Sequence, residues 1–226
     1  MERKFFNDAE GWSREEIRQH QLRKLKEQVS YLNGSSPYYK RVFKEHGITG
    51  ETIKTLDDLK KIPFSDKYII GESQDKYPPF GEFLCVPEAE IVRFFRTSGT
   101  TFEPRNFAYT WNDWWNIATE AMARVKWSIG IRPEDKAFMA FPYSTFVSLW
   151  SAHYACEKLG CMVIPGGGIS TKERLLLMKN MKATVLCGTP TYVYRLATAA
   201  QEDGIDIRDI PMRIINTGGE PLAAVP

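Results

Sequence analysis

The sequence predicts an α/β protein: a parallel βαβ sheet covered by helices, preceded by a helical lead-in. Three observations carry this. From Lys136 onward, short apolar runs alternate with stretches of helical period, the pattern of βαβ units whose strands are buried on both faces. Each apolar run is followed by a loop rich in glycine, proline and hydroxyl residues. Before residue 91 the apolar residues recur at helical rather than strand spacing.

The bulk properties narrow the function classes. Thirty Lys and Arg against 28 Asp and Glu give a net charge of +2 with no basic arm or acidic tail, so no nucleic-acid partner is expected. At 226 residues and 43% hydrophobic content, the chain can bury a core as one large domain or two small ones. Met1-Glu2-Arg3-Lys4-Phe5-Phe6 lacks the apolar core of a signal peptide, and no window approaches a membrane span. A cytoplasmic protein with no membrane partner is therefore expected. Cys85, Cys156, Cys161 and Cys187 form no Cys-x-x-Cys pair, and Cys161 and Cys187 lie in apolar runs as small hydrophobes. His153, Cys156 and Cys161 match no zinc spacing and lack a fourth ligand, so no metal site is assigned.

In the lead-in, Ser13-Arg14-Glu15-Glu16 is a capping box. Ile17, Leu22, Leu25, Val29 and Leu32 then form one stripe, and Asn33-Gly34 is the expected stop. Ser36-Pro37 starts a second helix with Tyr38, Tyr39, Val42 and Phe43 as its apolar side and Gly47 beyond its end. Thr55 caps a short helix that Pro63 breaks, and Ser65-Asp66 offers one more cap before the turn-rich Tyr77-Pro78-Pro79-Phe80-Gly81.

Residues 91–95 and 106–109 read as two strands around Arg96-Thr97-Ser98-Gly99-Thr100-Thr101-Phe102-Glu103-Pro104-Arg105. Four hydroxyl residues about one glycine, with a cation at the end, are what a polyphosphate needs; they also suit an ordinary polar turn. The loop lacks the Gly-Lys-Ser/Thr ending of a kinase-type phosphate loop. Thr110-Trp111-Asn112-Asp113 then begins a helix to about residue 128, closed by Gly130, with Trp114, Trp115, Ile117, Ala118, Ala121, Met122 and Val125 as its expected buried side.

In the alternating half, strands are expected at 136–141, 161–164, 184–187 and 212–215. Helices are expected at 146–159 closed by Gly160, at 171–181 capped by Thr171, and from Thr189-Pro190 to Glu202. The loops after the strands are Pro142-Tyr143-Ser144-Thr145, Pro165-Gly166-Gly167-Gly168, Gly188-Thr189-Pro190-Thr191 and Asn216-Thr217-Gly218-Gly219-Glu220-Pro221. In a parallel sheet they emerge together at the carboxyl edge, where ligands bind and glycine permits close approach.

Thr97-Ser98-Gly99-Thr100-Thr101 followed by Pro104, the run His153-Tyr154-Ala155-Cys156-Glu157-Lys158-Leu159-Gly160-Cys161, Val163-Ile164-Pro165, Thr189-Pro190-Thr191-Tyr192, Gly218-Gly219-Glu220-Pro221 and the early Ser36-Pro37-Tyr38-Tyr39 form an ordered set. With them the chain resembles the adenylate-forming acyl-CoA ligases, specifically the phenylacetate–CoA ligase group, over nearly its whole length. The resemblance implies the first part of the large domain of an adenylate-forming enzyme. It implies a reaction in which ATP and a small-molecule carboxylic acid form an acyl-adenylate, and coenzyme A then takes the acyl group. It further implies that Thr97, Ser98, Gly99, Thr100, Thr101 and Arg105 serve ATP through its phosphates, with Mg2+, and that Gly218, Gly219, Glu220 and Pro221 border the adenosine. Tyr143 and Phe146, with Gly218, would wall an aryl acid. His153 reads as a satisfied helix residue, and no residue is assigned as catalytic.

Two residues depart from the family pattern: Phe102 stands where it has glycine, and Arg105 where it has lysine. The later motifs expected of a ligase are absent. The expected organisation is thus a helical lead-in over 1–90 and a phosphate-loop and βαβ subdomain over 91–226, one incomplete domain that is inactive alone and self-associates through an exposed edge after 212–215. The alternatives are a non-catalytic nucleotide- or partner-binding module, or a related synthetase that adenylates another acid.

Overall fold

The computed structural model describes residues 6–99 and 103–221, so Thr100, Thr101 and Phe102 of the hydroxyl loop lie outside the described residues. The chain divides into two units, Met1–Trp111 and Asn112–Pro226.

The first unit begins on the capping box. Ser13 Oγ accepts the Glu16 N–H at 3.2 Å and the Glu16 carboxylate accepts the Ser13 N–H at 2.7 Å, opening α1, Arg14–Ser35. This helix runs through Asn33-Gly34, which the sequence reading takes as its stop. It ends at Ser36 instead, because a residue before proline is pushed out of the helical region; Ser36 sits at φ −94°, ψ 117°. The same residue caps α2, Pro37–His46, by accepting the Tyr39 N–H, and Gly47 closes that helix in the left-handed region. Val29, Phe43, Ile48 and Ile53 form the core between these helices, flanked by Leu22, Leu25 and Leu32. A 3-10 segment, Leu56–Lys61, leads to α3, Lys67–Lys76, whose cap is Asp66. A hairpin of β1, Ile91–Arg96, and β2, Asn106–Thr110, follows. Beyond β2 the buried Gln74 of α3 acts in place of a further strand: it donates to Asn106 O at 2.8 Å and accepts the Asn106 N–H at 3.1 Å.

The second unit opens on a π-helical segment, Asn112–Ala118, which continues as α4, Thr119–Ser128. This wide turn changes which residues face inward. Burial falls on Trp114, Thr119, Ala123, Lys126 and Trp127, whereas Ile117 and Val125, expected inside, are 58% and 53% exposed. The step from Trp114 to Thr119 is five residues, longer than an α-helical turn, so every later position rotates away from the face a 3.6-residue period assigns.

The sheet contains β3, Lys136–Met139, β4, Met162–Pro165, β5, Val185–Gly188, and β6, Ile214–Thr217. All neighbours are parallel, in the order β4-β3-β5-β6. The crossovers are α5, Val147–Leu159, α6, Thr171–Met181, and α7, Pro190–Glu202. Leu175 and Met178 of α6 and Leu196, Ala199 and Ala200 of α7 cover one sheet face in a single core with Phe138, Ile164 and Leu186. Helix α5 packs instead against α4. The α6 cap is Ser170 rather than Thr171: Ser170-x-x-Glu173 is a full capping box that the neighbouring threonine hides. Strand β6 lies two residues later than expected because β5 sets its register, with Val185 opposite Ile214. Arg213 is thereby left at the amino edge, where it bonds the buried Asp135 through Nε at 2.8 Å and through Nη2.

Candidate functional site

Strand order decides where a ligand can enter. From β3 the chain crosses to β4 on one side, and from β5 it crosses to β6 on the other. The loops after β3 and β5 therefore part at their carboxyl ends, which is the crevice of a doubly wound sheet. Ala140 N–H still donates to Cys187 O there at 2.8 Å, so the crevice starts one residue beyond the last shared bond.

The loop after β3 carries Tyr143, whose hydroxyl lies 2.6 Å from His153 Nδ1 on α5. His153 Nε2 is 2.9 Å from Glu157 Oε1. A carboxylate only accepts, so in the neutral imidazole Nε2 carries the proton, Nδ1 accepts, and the tyrosine donates. Burial pushes the Tyr143 hydroxyl far above the ordinary tyrosine range. Trp150 packs on the Tyr143 ring at 4.6 Å between centroids and donates its indole N–H to Ser144 O at 2.6 Å. Phe146 stands at the α5 cap with its side chain half exposed.

The loops after β5 and β6 are fastened to each other. Gly218 N–H donates to Gly188 O at 3.2 Å. The Glu220 carboxylate accepts from Thr191 Oγ1 at 2.7 Å and from the Thr191 N–H at 3.2 Å, at the first turn of α7. The Thr191 hydroxyl, then its N–H, holds the Glu220 acid below the usual carboxylate range. A Cβ added at Gly218 would meet nothing within 4 Å, so open space borders this segment, and Pro221 beside it is exposed. The glycine loop after β4 behaves differently. A Cβ at Gly166 would meet the Phe138 ring at 2.5 Å, so that glycine serves packing within the protein rather than approach by a ligand.

In the first unit, the base of the hydroxyl loop is clamped. Thr97 N–H donates to Arg105 O at 3.0 Å, and Arg105 N–H donates to Thr97 Oγ1 at 2.8 Å. Thr97 and Ser98 are exposed and Gly99 takes φ 69°. The Arg105 guanidinium turns onto α3, donating to Asp75 Oδ1 at 2.6 Å and to Gly71 O at 3.3 Å. Among the described residues no group of three or more His, Cys, Asp or Glu side chains gathers as a metal site, and no helix is long and apolar enough to cross a membrane.

No family model matches the chain. Phenylacetate-coenzyme A ligase of Pseudomonas putida is 34% identical over 223 residues, which cover 97% of this chain and 49% of that protein. The chain resembles the N-terminal part of the phenylacetate–CoA ligases. The Thermus thermophilus phenylacetate-coenzyme A ligase is 32% identical over 95% of this chain and 47% of its own length. Thus the chain spans about half the length of the curated phenylacetate–CoA ligases it matches. Among solved structures, an open conformation of 2-hydroxyisobutyryl-CoA ligase with 2-HIB-AMP and CoA superposes with a TM-score of 0.88 at 29% identity, over 99% of this chain and 52% of that one. The fold is that of the N-terminal part of the large domain of adenylate-forming CoA ligases.

Sequence reasoning picks out Tyr143, Phe146, Gly218 and Glu220, and all four stand at the carboxyl edge of one sheet. It misses Trp150, which packs on Tyr143, and Lys126, which is fully buried. The Tyr154 and Trp114 rings extend the aromatic cluster at 5.5 Å. A lysine within a helical stretch carries no sign that it points inward; only the five-residue turn places it there.

Proposed function

We propose that this chain carries ATP- and acid-binding elements of an ATP-dependent aryl-acid–CoA ligase that forms an acyl-adenylate and then an acyl-CoA. The observation that carries the reading is the fastening of Gly218-Gly219-Glu220 onto Gly188 and Thr191 at the crevice where the loop bearing Tyr143 departs. In this reading Gly218, Gly219, Glu220 and Pro221 border the adenosine. Tyr143 and Phe146, with Gly218, wall the aryl ring, which needs a flat apolar slot. Tyr143 keeps its proton because burial disfavours the phenolate, and the bond to His153 fixes its ring orientation. Ser98, Gly99, Thr100 and Thr101 hold the β- and γ-phosphates. Thr97 and Arg105 keep the two ends of that loop together.

A carboxylate and a triphosphate repel each other, so the protein must meet the negative charge with hydroxyls and backbone N–H groups held in place beforehand. Mg2+ takes most of its ligands from phosphate and water with one or two protein oxygens. The Ser98 hydroxyl, exposed in the loop, is of the right kind to be one of them. The ion would neutralise phosphate charge. Coenzyme A would supply the accepting thiol.

Isothermal titration with ATP and MgCl2, then with phenylacetate, tests the reading. Saturable ATP binding is expected, and the acid should bind more tightly once the nucleotide is present. Absence of any heat at millimolar ATP would sink it. A second reading concerns the acid alone: the similarity to 2-hydroxyisobutyryl-CoA ligase favours a small hydroxy acid. A matched titration of phenylacetate against 2-hydroxyisobutyrate separates the two.

A further inference from the structure

Lys126 of α4 is 1% exposed, yet among the described residues it meets no carboxylate. Its ammonium donates to Asn216 Oδ1 at 2.8 Å and to Cys187 Sγ at 3.7 Å. Asn216 Oδ1 also accepts the Cys187 thiol at 3.9 Å. Cys187 and Asn216 are register partners on β5 and β6. Each stands just ahead of a loop of the site: Cys187 precedes Gly188-Thr189, and Asn216 precedes Thr217-Gly218-Gly219. One cation therefore grips both strands immediately below the Gly218-to-Gly188 bond.

The energetics make this an unlikely choice for packing alone. Removing an ammonium from water costs several kcal/mol, and an apolar side chain of similar volume fills a core more cheaply. One amide oxygen and one thiol return only part of that cost. What the lysine adds is direction: its Nζ–H bonds hold the Asn216 amide and the Cys187 thiol of two neighbouring strands to one point.

We propose that Lys126 is a positioning residue for the nucleotide segment. Through Asn216 and Cys187 it sets Gly218-Gly219-Glu220 in the conformation that receives an anionic nucleotide. The inference rests on the nucleotide reading above and assigns that site a residue of α4, outside the loops that form it.

The test uses the full chain with Lys126→Met, Asn216→Ala and the double variant, read by ATP titration and by amide hydrogen exchange. Lys126→Met is expected to weaken ATP binding about tenfold. Protection should be lost over 214–219 and kept over 162–165 on the far edge of the sheet. In the double variant the two losses should not add, since both remove the same contact. If Lys126→Met does not fold, Asn216→Ala alone must show the same tenfold loss. Wild-type affinity in either folded variant overturns the proposal, and so does protection lost evenly across the sheet, which is what a packing role gives. No ATP binding by the wild-type chain overturns it together with the nucleotide reading.

Discussion

The Tyr143 hydroxyl sits 2.6 Å from His153 Nδ1, at one end of a chain of hydrogen bonds that ends at Glu157. Tyr143→Phe keeps the ring and removes this bond, and should cost about 1 kcal/mol in urea denaturation. His153→Ala should free the ring as well, and weaken acid binding more than Tyr143→Phe does. Burial raises the tyrosine's pKa in the folded state above its unfolded value. Its contribution is therefore complete below about pH 10 and is lost as the pH climbs further. Phenolate absorbance of the wild type and of Tyr143→Phe should coincide up to that point; a difference near pH 9 would contradict the assignment.

Glu220 reaches Thr191 through both its hydroxyl and its N–H. Thr191→Val removes the hydroxyl contact, and Glu220→Gln removes the charge. Each should loosen docking of the segment, seen as roughly fivefold weaker ATP binding. Fluorescence titration of both variants checks this, and equal affinities would detach the latch from nucleotide binding.

At the opposite edge of the sheet the pair Asp135–Arg213 is structural. Burial pushes the Asp135 acid up, but Arg213, the Arg132 N–H and the Thr184 hydroxyl outweigh it, so the net shift is downward. Its contribution is present at neutral pH and fades as the pH falls below the ordinary carboxylate range. Arg213→Met should cost about 3 kcal/mol at pH 7, because a buried carboxylate is stranded. With the cation gone, the Arg132 N–H and the Thr184 hydroxyl still oppose burial, so the downward shift should shrink. The variant should then lose less stability than the wild type as the pH is lowered through the carboxylate range, in chemical denaturation.

Arg105 and Gly71 set a steric test. A Cβ at Gly71 would lie 2.7 Å from Arg105 Nη2, the mobile end of that side chain. Gly71→Ala should move the guanidinium off Asp75 at little net cost, since alanine gains roughly 1 kcal/mol in a helix and the half-exposed ion pair is worth less than that. If Arg105 serves ATP, Arg105→Ala should weaken ATP binding while Gly71→Ala leaves it unchanged or tighter. Equal losses in both would make Arg105 a strut for α3 only.

The alternating half was legible because each βαβ unit announces itself within a short window: an apolar run, a turn, a cap, a periodic stretch. The capping box at Ser13 and the stops at Gly47 and Gly160 were read from neighbouring residues, and the structure has them there. Where the reading slipped, a local rule competed with another local rule. Ser36-Pro37 overrode Gly34, and the π turn rotated α4 so that Ile117 and Val125 face out.

By itself the sequence determined the elements, their order and the residues carried on each loop, because propensity, capping and hydrophobic period act over a turn or a strand. The tertiary structure alone decided the strand order, hence the crevice between β3 and β5. It also decided the contacts between elements, from the Tyr143 loop to His153 on α5, from Glu220 to Thr191, and from Lys126 to Asn216, 90 residues apart. Those pairings depend on how helices pack and strands register across the whole sheet, and no short window of sequence contains that information.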